Sequence, residues 1–244
     1  MTRALTAVFA HPDDETYASG ATLAKYSAVG VRCSLYCATD GDAGRASGIR
    51  VTSRQELARR RREELRAACT VLGVQTVECG GHPDGLLARS DLDRVIGEIV
   101  ALIRQERPDV LITFGPEGAI TQHSDHRAIS RLATAAHLLA GTTSAYPEQL
   151  ARGVRPHRAT RLCYVTWLPP TPDSVHRTEG QPCHVQIDAR PWNARKNEAF
   201  LAHATQREHQ ANFQRDALTD LECYFVASGA PMPEGSSDLF AAMS

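Results

Sequence analysis

The sequence predicts an α/β fold of the Rossmann-like, three-layer α/β/α kind, with a mostly parallel sheet in a single domain. Three observations predict it. In the first 140 residues, apolar runs of strand length alternate four times with longer stretches of helical period, the pattern of a parallel sheet covered by helices on both faces. The length of 244 residues suits one large domain. A composition of 42% hydrophobic and 23% charged residues is ordinary for a globular chain, which excludes disorder, collagen and coiled coil.

Taken in order, Leu5 to Ala10 reads as a buried first strand and about Thr16 to Val29 as the helix after it. Val31 to Ala38 is the second strand. Ser53, with Glu56 three residues on, makes a capping box for a helix to about Leu72, whose Leu57, Ala58, Leu65, Ala68 and Leu72 fall roughly on one stripe. Val74 to Val77 is a short third strand. Ser90 opens a helix with an apolar face through Leu92, Val95, Ile96, Ile99, Leu102 and Ile103, and it ends before Pro108. Val110 to Phe114 is the fourth strand, and a glycine-containing connection leads to a helix from about Asp125 to Leu139. Beyond Gly141 the pattern loosens. Gly141 to Thr160 reads as a connection, Leu162 to Trp167 and His184 to Ile187 as strands, and Asn193 to His209 as a helix. The expected organisation is one domain over residues 1–244. Its βα core spans 1–140, and a variable part over 141–244 includes the proline-rich segment 168–182, expected to act as a lid or simply to be mobile.

Lysine plus arginine is 27 against 28 for aspartate plus glutamate, a net charge of −1. That supplies no large field to attract nucleic acid or an anionic membrane. No stretch approaches the roughly 18 apolar residues of a membrane helix, and the N-terminal apolar run ends at once in His11-Pro12-Asp13-Asp14-Glu15, unlike a signal-peptidase site. The seven cysteines are scattered and contain no C-x-x-C pair, so they read as reduced core thiols of a cytoplasmic protein.

Two segments carry chemistry. His11-Pro12-Asp13-Asp14-Glu15 sets a histidine and three carboxylates at the carboxyl end of the first strand, where open α/β sheets bind ligands, and Pro12 stiffens the turn. The plain alternative is a helix start that favours negative charge. That accounts for Glu15, but not for His11 or for two adjacent aspartates. The second segment, His123-Ser124-Asp125-His126-Arg127, follows the fourth strand and puts two imidazoles one helical turn apart. Taken alone, it reads equally well as a cap made by Ser124 or Asp125 with solvated histidines. Topology joins the two segments: with strand order 3-2-1-4, the switch point lies between strands 1 and 4, directly below both. Two imidazoles and a carboxylate with an open position form the catalytic-zinc pattern. The same set also serves non-haem Fe(II), but the spare aspartate suits hydrolysis better.

The motifs HPDDE after strand 1 and H-x-D-H after strand 4 resemble those of the LmbE-like, or PIG-L, family of metal-dependent deacetylases. Arg61-x-x-Glu64-Leu65, Leu72-Gly73-Val74, Asp84-Gly85, Pro108-Asp109-Val110 and Ala202-His203-Ala204-Thr205-Gln206 extend the resemblance over roughly residues 4–210. The resemblance implies a hydrolase removing the N-acetyl group from an N-acetylglucosamine-containing small molecule. It implies His11, Asp14 and His126 as ligands of Zn2+, with Fe2+ or another divalent transition metal as the alternative, and Asp13 as general base. His123 would stabilise the oxyanion or protonate the product, Asp125 would orient His123, and Asp84 and Arg61 would contact substrate. Ser124 departs from the proline common in the family. Two alternatives stand beside this reading: an amidase of a thiol-sugar conjugate, and a non-catalytic carbohydrate-binding protein. The latter predicts damage to His11, Asp13, Asp14 or His126, and none is damaged. An assembly of identical copies is compatible with the sequence.

The remaining features have plainer readings. Arg59 to Arg62 followed by Glu63 and Glu64 reads as a solvated helix face, and Gly41, Gly44 and Gly48 do not make a dinucleotide fingerprint. His137 reads as a core histidine, while His203 fits either the pocket or a surface helix. Tyr164 and Trp167 are expected as an aromatic wall for a sugar, with Asp42 or Arg45 as added polar contacts.

Overall fold

Every residue of the first strand, β1 (Ala4–Phe9), is buried, as befits a strand flanked on both sides and covered on both faces. In this computed structural model, which describes residues 2–46, 49–168, 179–233 and 235–243, β1 pairs in parallel with β2 (Arg32–Thr39) and β4 (Val110–Phe114). β3 (Thr76–His82) extends the sheet beside β2, and β5 (Arg161–Thr166) extends it beside β4, both in parallel. The far edge is antiparallel: β7 (Leu221–Ser228) lies between β5 and β6 (Val185–Asp188). The seven strands therefore run β3-β2-β1-β4-β5-β7-β6. The expected order 3-2-1-4 is present, and the chain reverses direction on either side of the β1/β4 junction.

The helices follow the expected register. α1 (Asp14–Ala28) comes directly after β1, and α2 (Arg54–Leu72) is capped by Ser53, whose hydroxyl accepts the Glu56 N–H at 3.1 Å. The Glu56 carboxylate closes on the Thr52 N–H at 2.9 Å, one residue earlier than the expected box. α3 (Leu92–Glu106) starts two residues later than Ser90, because the Asp91 carboxylate accepts the Arg94 N–H. α4 (Ser124–Leu139) begins at the second motif.

Three expectations change. β3 starts at Thr76 because Gly73, at φ 80°, still caps α2 and the Val74 N–H returns to the Cys69 carbonyl. The helix expected over 193–209 is α6 (Asn193–Ala202), a 3₁₀ stretch (Ala204–His209) and α7 (Gln210–Asp216). β7 and the short helix α5 (Pro147–Ala151) were not anticipated. The proposed lid over 168–182 falls mostly on residues 169–178, which lie outside the described residues.

A buried ion pair and a buried arginine hold the variable part to the core. α1 is interrupted at Ser19 (φ −148°), and there the Glu222 carboxylate accepts the N–H groups of Ala21 and Thr22 while pairing with Lys196 Nζ at 2.7 Å. Gly20 makes room for this: a Cβ there would stand 2.8 Å from Lys196 Cγ. Arg104, 2% exposed, donates to the carbonyls of Ala140, Thr142, Ala145 and Tyr146, tying down the turn after α4.

Candidate metal centre

The turn after β1 folds back on itself through Asp14. One carboxylate oxygen, Oδ2, accepts the N–H groups of Ala10 at 3.1 Å and His11 at 2.8 Å. That fixes the side chain and points Oδ1 towards α4, where His126 Nε2 lies 3.1 Å away. His11 Nδ1 stands 3.2 Å from His126 Nε2 and 3.4 Å from Asp14 Oδ2. Two imidazole nitrogens and one carboxylate thus converge with 3.1 to 3.4 Å between neighbouring donor atoms. A tetrahedral ion with bonds of about 2.0–2.1 Å has donor-to-donor edges of about 3.3 Å; the edge from His11 Nδ1 to His126 Nε2 has that length, and Asp14 turns a different oxygen to each imidazole, Oδ2 to His11 and Oδ1 to His126.

The second nitrogen of each imidazole is assigned its own work. His126 Nδ1 lies 3.3 Å from both the Gly118 carbonyl and Thr121 Oγ1. The carbonyl can only accept, so Nδ1 carries the proton and Nε2 keeps its lone pair. Phe114, the last residue of β4, stacks on the His126 ring at 4.1 Å. His11 Nε2 lies 3.1 Å from Asp84 Oδ1 and 3.4 Å from Asp125 Oδ2, the carboxylate partnership that raises the basicity of a metal-binding imidazole. Burial would raise the Asp14 pKa, but His126 and His11 hold it well below the usual carboxylate range. The nitrogens of His11, His123 and His126 also gather within 4.8 Å, and so do single donors of His11, Asp84 and Asp125. In the latter group, the carboxylates are already taken by the N–H groups of Ala43, Gly85 and Leu87.

Asp13 stands beside the triangle in a costly conformation, φ 115° and ψ −26°, which a residue with a Cβ rarely adopts. Its Oδ2 accepts from Arg61 Nη2 at 3.0 Å. Burial pushes its pKa up to about 6, against the pull of Arg61 and with the push of Asp14. His123 caps α4, its Nδ1 accepting the Asp125 N–H at 3.2 Å. Its ring centroid lies 4.8 Å from that of His11. Partial burial, together with His11 and His126, lowers its pKa.

Comparison with known proteins bears on this geometry. A family profile described as PIG-L: GlcNAc-PI de-N-acetylase matches residues 6–137, more than half of the chain and both motifs. The chain belongs to the PIG-L family of deacetylases. One PIG-L relative, the 1D-myo-inositol 2-acetamido-2-deoxy-alpha-D-glucopyranoside deacetylase of Streptomyces griseus, is 30% identical over 99% of this chain and 89% of its own. Two solved structures share the fold at a TM-score of 0.75. N,N'-diacetylchitobiose deacetylase from Pyrococcus horikoshii is 21% identical, covering 92% of this chain and 83% of that one. GalB, the 4-carboxy-2-hydroxymuconate hydratase of Pseudomonas putida, is 17% identical, covering 96% and 99%. The fold thus carries more than one chemistry.

Within this PIG-L chain, several residues do more than the sequence suggested. Arg61, 4% exposed, donates to the carbonyls of Pro12 and Gly41 as well as to Asp13, so its guanidinium braces the motif turn. Asp84 Oδ2 accepts the Ala43 N–H while Oδ1 faces His11. The hydrogen bonds of the Asp125 carboxylate go to Gly85 and Leu87, and it faces His11; its contact with His123 runs through the backbone. Tyr164 bonds to Thr134, two turns along α4 from His126 and on the order of 12 Å away. Asp42 is bonded to Arg54, and the Arg45 carbonyl to Gln206. Glu15, read from sequence as a favourable helix start, is fully buried against His203. Their separation of 188 residues leaves no local signal to find them by. Among the described residues, no helix is long and apolar enough to cross a membrane.

Proposed function

We propose that this chain is a zinc-dependent N-deacetylase that hydrolyses the acetamide of an N-acetylglucosamine unit in a small-molecule conjugate, with His11, Asp14 and His126 as metal ligands and Asp13 as general base. The observation that carries this reading is the triangle of His11 Nδ1, Asp14 and His126 Nε2, with Asp13 immediately beside it and free of it. A divalent cation in that triangle supplies a lowered pKa for a water and polarisation of the amide carbonyl. The N/O donor set also admits Fe(II); zinc is the assignment made here.

The chain's own residues do the rest. Asp13 accepts the proton of the attacking water, held in place by Arg61 through both its carboxylate and the Pro12 carbonyl. Because His123 Nδ1 accepts the Asp125 N–H, the neutral ring carries its proton on Nε2. That N–H is the donor offered to the oxygen on which charge develops, the kind of fixed dipole that stabilises an acyl-transfer transition state. The departing amine is protonated by Asp13 returning its proton or by His123. Asp84 and Asp125 keep His11 oriented, and Asp84 and Arg61 are assigned the edge of the crevice nearest the sugar. The seven cysteines are free thiols, in keeping with work in a reducing cytoplasm. The amino-sugar substrate draws on the inositol-linked acetamidoglucoside named for the Streptomyces relative.

Free-amine release tests this reading on a panel of N-acetylglucosamine glycosides and simple N-acetyl alkyl amines, with zinc loaded, chelated and restored. The expected result is zinc-dependent release from the sugars and weak release from the alkyl amides. Equal rates on both would remove the sugar assignment. Release unaffected by complete chelation would remove the metal assignment.

A further inference from the structure

We propose that Glu15 and His203 form a positioning pair that sets the backbone of Asp13, an inference that rests on reading Asp13 as the general base. Two observations lead to it. Asp13 sits at φ 115°, a costly conformation that persists only where the surroundings over-determine it. What over-determines it is a clamp on the Pro12–Asp13 peptide. Arg61 Nη2 donates to the Pro12 carbonyl, and Glu15 Oε2 accepts the Asp13 N–H at 3.0 Å.

The Glu15 side of the clamp is built with more care than a helix start requires. A carboxylate that merely favours the positive end of a helix does so at an exposed first turn and needs no buried partner. Glu15 is 0% exposed, and so is its partner His203, whose Nε2 lies 2.8 Å from Glu15 Oε1; the Thr16 hydroxyl donates to the same oxygen. Burying a carboxylate is costly unless it is paired and hydrogen-bonded. The pairing is supplied from the other end of the chain, by the residue that follows α6. The next residues are anchored as well: the Thr205 N–H and hydroxyl both donate to the Glu64 carboxylate of α2, at 3.0 and 2.7 Å. His203 is therefore held by α6 on one side and α2 on the other, and it passes that rigidity through Glu15 to the Asp13 peptide. Rotation of this peptide would swing the Asp13 carboxylate away from its place beside the metal triangle. A shift of about 1 Å at such a group costs on the order of a hundredfold in rate.

The experiment is steady-state kinetics on the zinc-loaded protein with an N-acetylglucosamine glycoside, beside zinc content per chain and thermal melting. In His203→Ala, kcat is expected to fall about tenfold to a hundredfold, with KM and zinc content unchanged. His203→Gln, which keeps a donor near the Nε2 position, should recover most of the loss. A role confined to stability would lower the melting temperature and the active fraction but leave the kcat of folded, zinc-loaded protein alone. Introduced on top of Asp13→Asn, His203→Ala should cost little further, because residues acting as one unit are not additive. Glu15→Gln, close in shape to the native residue, gives a second route to the same loss should His203→Ala not fold. The proposal is overturned by an unchanged kcat in the folded variants, by loss of zinc in parallel with kcat, or by a full extra loss in the Asp13→Asn background. Near-normal turnover in Asp13→Asn itself would instead overturn the general-base reading.

Discussion

Replacing Asp13 by asparagine removes a base and almost nothing else. The amide oxygen still accepts from Arg61 Nη2, now 3.0 Å from Oδ2, and Glu15 still holds the peptide N–H. Asp14 keeps its bonds from the Ala10 and His11 N–H groups, so the donor triangle stays in place. Metal content should therefore be that of the wild type. Turnover should fall by the worth of a positioned acid-base group, typically 10² to 10⁴-fold, or about 3–5 kcal/mol of transition-state stabilisation. The pH profile adds a second readout. Burial raises the Asp13 carboxyl to about 6, with Arg61 opposing and Asp14 adding to the rise, and a divalent cation bound beside it would draw it lower. Because the base works when ionised, kcat/KM should rise with pH along a limb centred below 6 in the wild type, and the variant should lose that limb. The assay is free-amine release from an N-acetylglucosamine glycoside, with zinc quantified in the same samples. Turnover within threefold of the wild type at full zinc occupancy would refute the assignment.

Other perturbations follow from the same geometry. Asp84→Ala removes the carboxylate 3.1 Å from His11 Nε2 and the acceptor of the Ala43 N–H; zinc affinity measured by competition with a chelator should weaken about 10 to 100-fold, and kcat/KM at saturating zinc should still fall. An unchanged affinity would show that His11 needs no such partner. His137 is 1% exposed, neither ring nitrogen has a hydrogen-bond partner among the described residues, and burial lowers its pKa to about 4. Its folded pKa lies below the unfolded value near 6.5, so the unfolded chain binds the extra proton. Stability is then complete above about pH 6.5 and declines towards pH 4 by about 3 kcal/mol. Urea titrations of His137→Leu should show that much less acid sensitivity, and equal sensitivity would contradict the reasoning. Lys196→Met strands the Glu222 carboxylate among buried groups, and its unfolding free energy should drop by about 3–5 kcal/mol; a loss below about 1 kcal/mol would show the pair to be dispensable.

The central fold was legible because its signals are local. β1 is apolar apart from Thr6, α2 carries its cap at Ser53, and α3 shows its stripe through buried Val95, Ile99 and Ile103. Periodicity and capping signals therefore recovered strands 1, 2 and 4 and the helices α1 to α4. The two motifs were legible for a related reason: HPDDE follows β1 directly, H-x-D-H opens the helix after β4, and the strand order brings His11 and His126 together. What remained hidden depends on distant partners. β7 is an antiparallel insertion between β5 and β6, and nothing in its own residues reports its neighbours. The expectation that Asp125 serves His123 was carried over from the family resemblance. Its carboxylate instead accepts the N–H groups of Gly85 and Leu87 and faces His11. Tyr164 was expected at the sugar because it is aromatic and near a strand end, yet its hydroxyl bonds to Thr134 in the body of α4. Glu15 illustrates the same limit: a helix-start residue by sequence, and a buried partner of His203 in space.

The central claim is that His11, Asp14 and His126 together hold one catalytic divalent ion. The most direct measurement is zinc per chain after equilibration and desalting, for the wild type and for His11→Ala, Asp14→Ala, His126→Ala and the control His137→Ala. With a three-donor set spaced as these atoms are, one zinc per chain is expected in the wild type and in His137→Ala. Zinc and deacetylase activity should be lost together in the other three. Full zinc retention in the folded His126→Ala variant would contradict the account.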